Sequence, residues 1–451
     1  MQIVVLETPE LGDRSYLIHD GVKGLVVDPQ RDIDRMLAEI KRAAVTITHV
    51  FETHIHNDYV TGGLALSRAV GAEYGVAASD AVDFPRLAIL DSDEFEIGTM
   101  VVRAVHTPGH TPNHMSYVVS EGGQPRAVLS GGSLLYGTVG RTDLISPDLT
   151  DRLTRDQFHS ARRLISDLPE ETRVLPTHGF GSFCASSGTS TSGNGDIASE
   201  RRANLAAQIP DESEFVSRVI SGLGPYPAYY ERMAPLNRVG PKAFDPTQTA
   251  PTPDPEEIRR RIAAGAWVID TRPRRNFATS HLAGTLGFEL DSAYFSTYVG
   301  WLAPSNEPLT ILTEGTDEQQ RAVRDLSRIG VDRVEVSPAG FSSHAAAAEV
   351  RGYPVTDFAG LARQLNGTTA VLDVRQRAEW SSGHIRGSHN IPVQEIPGRL
   401  DEVPRGDIFV HCGIGYRASV AASLLDRAGH SVTLVDDDFN NAERVGLPLE
   451  S

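Results

Sequence analysis

Residues 53–59, Thr-His-Ile-His-Asn-Asp-Tyr, place three potential metal ligands within a short segment. His54 and His56 are two residues apart, and Asp58 follows two residues later. An apolar run, residues 45–51, precedes them, so a strand that ends in a loop would bring the imidazoles and the carboxylate into one small volume. Neutral imidazole and carboxylate groups bind zinc and non-haem iron. The segment therefore predicts a metal site.

Two more histidines extend this candidate site at wide spacing. His110 lies in Thr-Pro-Gly-His-Thr (107–111), and His178 lies in Pro-Thr-His-Gly (176–179). Cys184 follows His178 closely, but no Arg or Lys neighbours it in sequence. An unactivated thiol favours a structural role for Cys184 over the handling of a thiol or persulfide.

A second candidate site lies near the C-terminus. An apolar strand, residues 408–410, leads through His411 to Cys412, and a helical pattern follows at 420–428. A helix N-terminus and backbone N–H groups favour a bound anion, and Arg417 adds a positive charge. Two glycines let the backbone curl around the sulfur. We therefore interpret Cys412 as a nucleophile, against the alternative of a buried structural cysteine. The loop around it comprises Gly413, Ile414, Gly415, Tyr416 and Arg417.

The elements that must position these groups follow from hydrophobic patterning. Residues 1–210 alternate short β-rich runs with helical patterns at 32–43, 62–70 and 149–168, which indicates two sheets with covering helices. Residues 186–196 are rich in Gly and Ser and predict a loop. A helix is predicted at 210–220, and the proline-rich residues 224–255 predict an extended linker.

The C-terminal part of the chain contains an internal repeat. Residues 267–284 align with residues 370–387 at a constant offset of 103 positions. The matched pairs are Asp270 and Asp373, Arg272 and Arg375, Phe277 and Trp380, His281 and His384, and Gly284 and Gly387. Several matches at one offset indicate a duplicated domain. Each copy has the strand–helix alternation expected of a small parallel α/β sheet.

Size, charge and cysteine content exclude several classes of protein. At 451 residues the chain is too long for one core, and its net charge of −17 argues against nucleic acid or an anionic membrane as partner. Two distant cysteines give no disulfide framework. We expect a cytoplasmic protein, because the N-terminus lacks a signal sequence and no apolar stretch approaches the length of a membrane span.

Residues 355–451 closely resemble the rhodanese family of sulfurtransferases. The resemblance is carried by Leu-Asp-Val-Arg (372–375), residues 379–392 and the loop at 412–417. It implies that Cys412 carries a persulfide and that the loop amides and Arg417 hold the charged group. Asp373, Arg375 and His384 match positions of framework hydrogen bonding. The first copy, residues 254–350, resembles the same family but has no cysteine, which implies a structural or docking role.

The first 210 residues resemble the metallo-β-lactamase superfamily, through residues 53–58, 107–111, 140–143 and 176–179. The whole chain resembles persulfide dioxygenases fused to rhodanese domains. This implies an α/β and α+β multidomain chain, with an αββα sandwich followed by two small rhodanese-like α/β domains. The implied boundaries are 1–210 for the metallo-β-lactamase-like domain, 211–253 for a helix and linker, 254–350 for the cysteine-free copy and 355–451 for the copy with Cys412.

By the superfamily pattern, His54, His56 and His110 match a three-histidine site, and Asp58 and His178 match a second site. The sequence departs from that pattern at two positions. Tyr59 stands where a histidine is expected, and Gly132 stands where the superfamily has an aspartate. The resemblance implies one Fe(II). Zn(II) is the alternative, and a site without metal stays open because the carboxylate at 132 is missing.

Three functions follow for the N-terminal domain. The first is oxidation of a low-molecular-weight thiol persulfide to sulfite, with Cys412 passing sulfane sulfur to or from thiosulfate or sulfite. The second is a zinc-dependent thioester hydrolase of the glyoxalase II type, in which a metal-bound water attacks the substrate. The third is a non-catalytic binding domain joined to an active rhodanese. Whether the chain forms a homo-oligomer stays open.

Overall fold

The computed structural model describes residues 1–186, 195–305, 307–345, 349–366 and 369–451. Most of the loop predicted at 186–196 lies outside these ranges. The chain forms two compact units, one of residues 1–247 and 324–330 and the other of residues 248–323 and 331–451. No helix among the described residues combines the length and the apolar character needed to cross a bilayer.

Two mixed sheets build the first unit, and their order among the described strands is β1-β2-β3-β4-β5-β6 and β12-β11-β10-β9-β8-β7. The strands are β1 Gln2–Thr8, β2 Asp13–His19, β3 Lys23–Val27, β4 Thr46–Phe51, β5 Glu73–Ala77, β6 Leu87–Ile89, β7 Glu94–Ile97, β8 Met100–His106, β9 Met115–Glu121, β10 Gln124–Gly131, β11 Arg173–Pro176 and β12 Gly195–Asp196. The helices are α1 Ile33–Ala43, α2 Gly63–Val70, α3 Thr150–Asp167, α4 Ile197–Ala203, α5 Leu205–Gln208, α6 Glu212–Gly222 and α7 Tyr230–Arg238, with a 3₁₀ turn at Pro147–Leu149.

Three apolar clusters arrange this unit as four layers. One cluster lies between the two sheets and includes Phe51 and Tyr117, whose rings stack at 5.0 Å. Full burial of a side chain such as Phe51 contributes about 1.5–3 kcal/mol. A second cluster packs Met36 and Ile40 of α1 against the first sheet. A third packs Phe158 of α3 against the second sheet. The predicted αββα sandwich is confirmed.

The candidate metal ligands follow the carboxyl ends of strands. β8 and β10 are both antiparallel to β9, and β11 is parallel to β10, so these three strands end at the same edge of their sheet. His110 follows β8 and His178 follows β11. His54 and His56 follow β4 in the other sheet. Loops at strand ends are where a layered α/β fold can gather side chains that are distant in sequence.

Helix α7 lies in the segment predicted to be an extended linker. It spans Tyr230–Arg238 and carries Pro235 in its interior. The prediction was wrong for these residues, because the prolines at 225, 227 and 241 lie outside the helix. The helix predicted at 210–220 is present as α6.

The second unit contains two parallel sheets among its described strands, ordered β15-β13-β16-β17 and β19-β24-β23-β20-β22. The strands are β13 Val268–Asp270, β14 His281–Leu282, β15 Leu286–Gly287, β16 Leu309–Leu312, β17 Val334–Ser337, β18 Val350–Arg351, β19 Val355–Thr356, β20 Ala370–Asp373, β21 His384–Ile385, β22 His389–Asn390, β23 Asp407–His411, β24 Ser431–Val435 and β25 Leu449–Glu450. The helices are α8 Pro255–Ala263, α9 Arg274–Thr279, α10 Phe295–Leu302, α11 Thr316–Arg328, α12 Phe341–Ala345, α13 Phe358–Gln364, α14 Arg377–Ser382, α15 Tyr416–Arg427 and α16 Asn440–Arg444, with 3₁₀ turns at Val393–Gly398 and Leu400–Glu402. The last residues of α11, from 324 onward, belong to the first unit.

The two copies of the repeat form equivalent hydrogen bonds. In the first copy, Arg272 donates to the Asp270 carboxylate at 2.6 Å and to the Ser280 carbonyl at 2.8 Å. In the second copy, Arg375 donates to the Asp373 carboxylate at 2.6 Å and to the carbonyl of the glycine before His384 at 2.8 Å. The predicted framework role of Asp373 and Arg375 is confirmed, since both side chains serve the interior of the domain.

Candidate metal centre and candidate sulfur-transfer loop

The motif histidines lie together in the loop after β4. The rings of His54 and His56 are 4.1 Å apart between centroids, and both side chains are buried. Asp28 fixes the start of this loop, because its carboxylate accepts the Thr53 N–H and the Thr53 hydroxyl, both at 2.7 Å. The same carboxylate accepts the hydroxyl of Thr177, next to His178. One buried aspartate therefore connects the segments that carry His54 and His178.

His110 and His178 complete the cluster. His54 Nε2 and His178 Nε2 are 3.3 Å apart, and the ring centroids of His54 and His110 are 4.7 Å apart. The structure therefore brings together the four histidines that were predicted as ligands. Asp58 joins them, because its Oδ2 lies 3.0 Å from His178 Nδ1.

The structure groups these ligands differently from the predicted division into two sites. His54, His56 and His178 form a group whose ligand atoms lie within 4.8 Å of one another. His110 belongs to a second group, with His178 and Cys184. His178 is therefore shared, and the assignment of His54, His56 and His110 to one metal stays a prediction.

His56 is held by two carboxylates and a phenol. Its Nε2 lies 3.2 Å from Asp28, 3.2 Å from Glu52 and 3.0 Å from the Tyr59 hydroxyl. Burial acts to lower the pKa of His56, but the charge of Asp28 and hydrogen bonds to both carboxylates outweigh burial and raise the pKa to about 9. The other nitrogen, Nδ1, is buried without a hydrogen-bond partner. Nδ1 is therefore the atom of His56 that a metal would bind, in exchange for its proton.

Asp13 and Asp58 flank His178. The Nδ1 atom of His178 donates to Asp13 Oδ1 at 2.9 Å. Burial opposes a charge on His178, yet Asp58 and Asp13 together raise its pKa well above the usual range. Burial and the charge of Asp58 raise the pKa of Asp13 to about 8. The pair of Asp13 and His178 therefore holds a proton, and Asp58 keeps its negative charge.

Two observations show that the cluster fits a divalent metal. First, His110 Nδ1 donates to the Arg141 carbonyl at 2.7 Å, whereas its Nε2 is buried with no hydrogen-bond partner. An orphaned buried acceptor of this kind is costly unless it has a ligand. Second, the 3.3 Å between His54 and His178 matches the ligand spacing of roughly 3.3 Å that tetrahedral bonds of about 2.05 Å produce. The groups suit Zn²⁺ or Fe²⁺.

Gly132, which replaces the expected aspartate, lies against His110. A Cβ atom at position 132 would lie 2.3 Å from His110 Cδ2, so the imidazole fills the space that a side chain would need. The Gly132 N–H donates to His114 Nε2 at 3.0 Å, and His114 Nδ1 is 3.0 Å from the Thr107 hydroxyl. Both nitrogens of His114 are thus occupied, which agrees with its expected role as a hydrogen-bonded pocket residue.

Cys412 lies between the end of β23 and the start of α15. The Gly415 N–H donates to Cys412 Sγ at 3.2 Å, and Gly415 has a φ of 95°, a conformation that glycine adopts without a Cβ clash. Gly413 accepts the Phe439 N–H at 2.8 Å, which ties the loop to the domain. Ile414 is exposed and Tyr416 is buried. The sulfur therefore sits at the N-terminus of a helix of twelve residues, where a negative charge is stabilised.

Arg417 points to a carboxylate. Its guanidinium group donates to both oxygens of Glu379, at 2.5 and 2.7 Å. Burial acts to lower the pKa of Arg417, but the hydrogen bonds to Glu379 raise it well above the usual range. The predicted role of Arg417 in holding an anion stays a prediction, and any anion must compete with Glu379.

The first copy has a threonine where the second has its cysteine. Asp270 is opposite Leu312 in the pairing of β13 with β16, as Asp373 is opposite His411 in the pairing of β20 with β23. Thr313 therefore follows its strand as Cys412 follows β23. Its hydroxyl donates to the Gly315 carbonyl at 3.0 Å. The first copy instead places aromatic rings beside the Cys412 loop, with the ring centroids of Tyr298 and Tyr294 at 5.8 and 6.0 Å from that of Tyr416.

The comparisons with known proteins agree with this geometry. A model of the metallo-β-lactamase superfamily matches residues 10–178, and a rhodanese-like domain model matches residues 358–444. A hydroxyacylglutathione hydrolase of Cereibacter sphaeroides is 30% identical over 185 residues, which cover 40% of this chain and 68% of that protein. The chain belongs to the metallo-β-lactamase superfamily. It carries a rhodanese-like domain as well.

Other relatives of this superfamily member are similar over comparable lengths. A hydroxyacylglutathione hydrolase of Rhizobium johnstonii is 32% identical over 168 residues, or 36% of this chain. The match spans 61% of that relative's own length. The crystal structure of a metallo-β-lactamase from Staphylococcus aureus subsp. aureus COL has a TM-score of 0.66 and 23% identity, and covers 74% of this chain and 98% of that one. At this level of sequence identity, the similarity to the crystal structure concerns the fold alone.

Sequence reasoning missed several residues of the metallo-β-lactamase-like domain that shape the site. Asp13 contacts His178 across 165 positions of sequence, and no motif surrounds it. Asn237 of α7 donates to the carbonyl oxygens of His56 and Tyr59, both at 2.9 Å. Glu52 precedes the motif directly, and its place at the buried end of a strand is a signal that could have identified it.

Proposed function

We propose that the chain is a sulfurtransferase whose nucleophile is Cys412, joined to a metal-dependent enzyme that acts on low-molecular-weight sulfur compounds. The observation that carries the first part is the hydrogen bond from the Gly415 N–H to Cys412 Sγ at the start of α15. Backbone N–H groups at a helix N-terminus stabilise a thiolate and the persulfide that replaces it.

The transfer has two steps. The Cys412 thiolate attacks the outer sulfur of thiosulfate and forms an S–S bond, while sulfite leaves with the electron pair of the broken bond. A thiolate or cyanide acceptor then attacks the outer sulfur of the Cys412 persulfide, and the Cys412 thiolate is restored. The total charge does not change. The backbone N–H groups of the loop stabilise the negative charge first on the thiolate and then on the persulfide.

For the metallo-β-lactamase-like domain we infer oxidation of a thiol persulfide by O₂. The balanced reaction converts a persulfide, O₂ and water into a thiol, sulfite and two protons. A bound Fe²⁺ would supply the binding of O₂ beside the substrate. His54, His56 and His178 are the residues that would hold it, since their ligand atoms lie within 4.8 Å of one another. The pair of Asp13 and His178 holds a proton close to the reacting centre and could release it there.

Joining the two activities on one chain has a chemical reason. Sulfite, the product of the oxidation, is also an acceptor for the sulfur of a Cys412 persulfide, and that transfer yields thiosulfate. Persulfides and sulfite are both reactive, so consumption within one protein limits side reactions. The proposed substrates are therefore a thiol persulfide together with thiosulfate or sulfite.

A thioester hydrolase is the second candidate for this domain. The matches to hydroxyacylglutathione hydrolases favour it. A bound Zn²⁺ would supply an activated water. Asp58 keeps its negative charge beside His178, because the charge of His178 outweighs the effect of burial and lowers the pKa of Asp58. Asp58 could therefore orient that water or accept its proton.

One experiment separates these candidates. The full chain is purified without oxygen, its metal content is measured, and oxygen uptake with glutathione persulfide is compared with hydrolysis of a glutathione thioester. Iron with oxygen uptake supports the dioxygenase. Zinc with thioester hydrolysis supports the second candidate. A chain that holds no metal and turns over neither compound contradicts both and leaves the binding-domain alternative.

A further inference from the structure

The group formed by His110, His178 and Cys184 is not explained by the superfamily pattern. The ligand atoms of these three residues lie within 4.8 Å of one another, and all three side chains are buried. The Cys184 thiol also approaches the Tyr230 hydroxyl, with its sulfur 3.8 Å from the oxygen. A cysteine on its own would be a small core residue, so the neighbours of Cys184 decide its role.

His110 supplies an independent sign that something is bound here. Its Nδ1 donates to the Arg141 carbonyl, which fixes the tautomer and leaves a lone pair on Nε2. That Nε2 is buried and has no hydrogen-bond partner. A neutral imidazole oriented through its other nitrogen is the form in which histidine binds metals.

Arg141 holds His110 and Cys184 side by side. Its carbonyl accepts the proton of His110 Nδ1 at 2.7 Å, and its N–H donates to the Cys184 carbonyl at 2.8 Å. Its side chain donates to the Phe183 carbonyl at 3.0 Å and forms two hydrogen bonds to Asp143, at 2.7 and 2.8 Å. The position of the sulfur relative to His110 is therefore set by several hydrogen bonds through one residue.

The missing carboxylate at position 132 gives a chemical reason for a cysteine ligand. Gly132 offers no ligand, and His110 fills the space of a side chain at that position. Without an anion from position 132, the metal would depend on neutral imidazoles and on Asp58. A thiolate restores the missing negative charge, and sulfur with imidazole is a ligand set that suits Zn²⁺ and other borderline or soft divalent ions.

We propose that Cys184 binds the metal through a thiolate, with His110 and His178 as its partners. This inference rests on the proposed function, because it requires that the domain holds a metal. On binding, the thiol proton is released to solvent and a metal–sulfur bond forms, with no change of oxidation state. The sulfur of Cys184 takes the charge role that a carboxylate at position 132 would have had.

The test uses the full chain with Cys412→Ser, so that Cys184 is its one remaining cysteine. The metal-free protein is titrated with Co²⁺ without oxygen, and binding is followed by the visible d–d bands and by the near-ultraviolet sulfur-to-cobalt charge-transfer band. We expect both signals to saturate together. We expect C184S in the same background to keep the d–d bands, lose the charge-transfer band and bind Co²⁺ at least tenfold more weakly.

The outcomes separate this inference from the proposed function. Cobalt that binds with d–d bands but without a charge-transfer band overturns the role of Cys184 and leaves the metal enzyme intact. Failure to bind Co²⁺ or Zn²⁺ at all overturns both. A second variant in the same loop, Ser182→Ala, removes the hydroxyl that accepts the Cys184 N–H at 3.1 Å but keeps the thiol, and it should keep the charge-transfer band. The circular dichroism of C184S shows whether the variant is folded.

Discussion

The guanidinium group of Arg417 and the carboxylate of Glu379 form a two-pronged ion pair beside the Cys412 loop. Glu379 also accepts the Gln376 N–H at 3.0 Å, which caps α14. Glu379 thus largely neutralises the positive charge of Arg417 on the Cys412 loop before a substrate binds. A dianionic donor such as thiosulfate must compete with this carboxylate.

We expect Glu379→Gln to lower the KM for thiosulfate and to leave kcat nearly unchanged. A partly exposed ion pair contributes up to about 1 kcal/mol, which corresponds to a change of up to about fivefold. Glutamine can still accept the N–H that caps α14. Steady-state kinetics with cyanide as acceptor measures the effect. Glu402→Gln, which breaks an exposed pair with Arg399, is the matched control, and an unchanged or higher KM in E379Q would contradict the prediction.

Cys412→Ser is expected to abolish transfer of sulfur from thiosulfate to cyanide, because serine cannot form a persulfide. Cys184→Ser should keep this activity, since the N–H that contacts Cys412 Sγ comes from Gly415 of the same loop. The production of thiocyanate gives a direct assay. Activity of C412S close to that of the unmodified chain would show that another group is the nucleophile.

Asn237→Ala is expected to loosen the histidine loop. The Asn237 side chain accepts the Thr61 N–H at 2.9 Å and donates to the carbonyls of His56 and Tyr59. Loss of these buried bonds should lower the free energy of unfolding of the first domain by about 1–3 kcal/mol. Chemical denaturation measures this change, and the affinity for Co²⁺ should fall with it.

Asn113→Ala provides the comparison for Asn237. Asn113 donates to Asp80 at 2.8 Å from a partly buried position, and its loss should have a smaller effect on unfolding. Equal effects of the two substitutions would argue that Asn237 does not restrain the loop.

Gly132→Ala is expected to displace His110. The added Cβ would meet the imidazole at 2.3 Å, well inside van der Waals contact. Overpacking of this kind costs about 1–3 kcal/mol of folding free energy, and the displaced imidazole should weaken Co²⁺ binding. Gly224→Ala, whose Cβ would meet no atom within 4 Å, is the control. Normal stability and normal Co²⁺ affinity in G132A would refute the tight contact.

His411→Phe is expected to stabilise the rhodanese-like domain in acid. Burial lowers the pKa of His411 below 6.5, and both ring nitrogens lack a hydrogen-bond partner. Its Nε2 is 3.6 Å from Asp373, beyond hydrogen-bond distance. The ring already stacks on Phe439 with 5.5 Å between centroids, so phenylalanine should fit.

The sign of the pH effect follows from proton binding. Between the folded pKa and 6.5, the unfolded chain binds a proton at His411 that the folded chain does not, so stability falls as the pH drops below 6.5. H411F should lack this part of the acid slope. Denaturant midpoints of the second unit measured above and below pH 6.5 compare the two chains, and parallel slopes would rule out the prediction.

The sequence predicts the site best where its residues belong to local motifs. His54, His56 and Asp58 are close in the chain, and one strand end explains their proximity. The repeat was evident because five matched pairs share one offset, and its hydrogen bonds are equivalent in both copies. Helix α7 was missed because proline content masked a short helix around Pro235.

The remaining features depend on contacts between distant segments. Asp13 reaches His178 across 165 positions, and Asn237 reaches His56 across 181. The relation between Cys184 and His110 is set through Arg141, a residue with no metal-binding group of its own. Local patterning carries no information on such contacts, because they depend on how the sheets and loops pack.

The contact between Gly132 and His110 has a consequence for redesign of the site. A single substitution that places aspartate at position 132 introduces a clash with the imidazole before it supplies a ligand. His110 would have to move first, and it is tied to the Arg141 carbonyl. A carboxylate can therefore be introduced at position 132 only together with a second change that gives the His110 ring room.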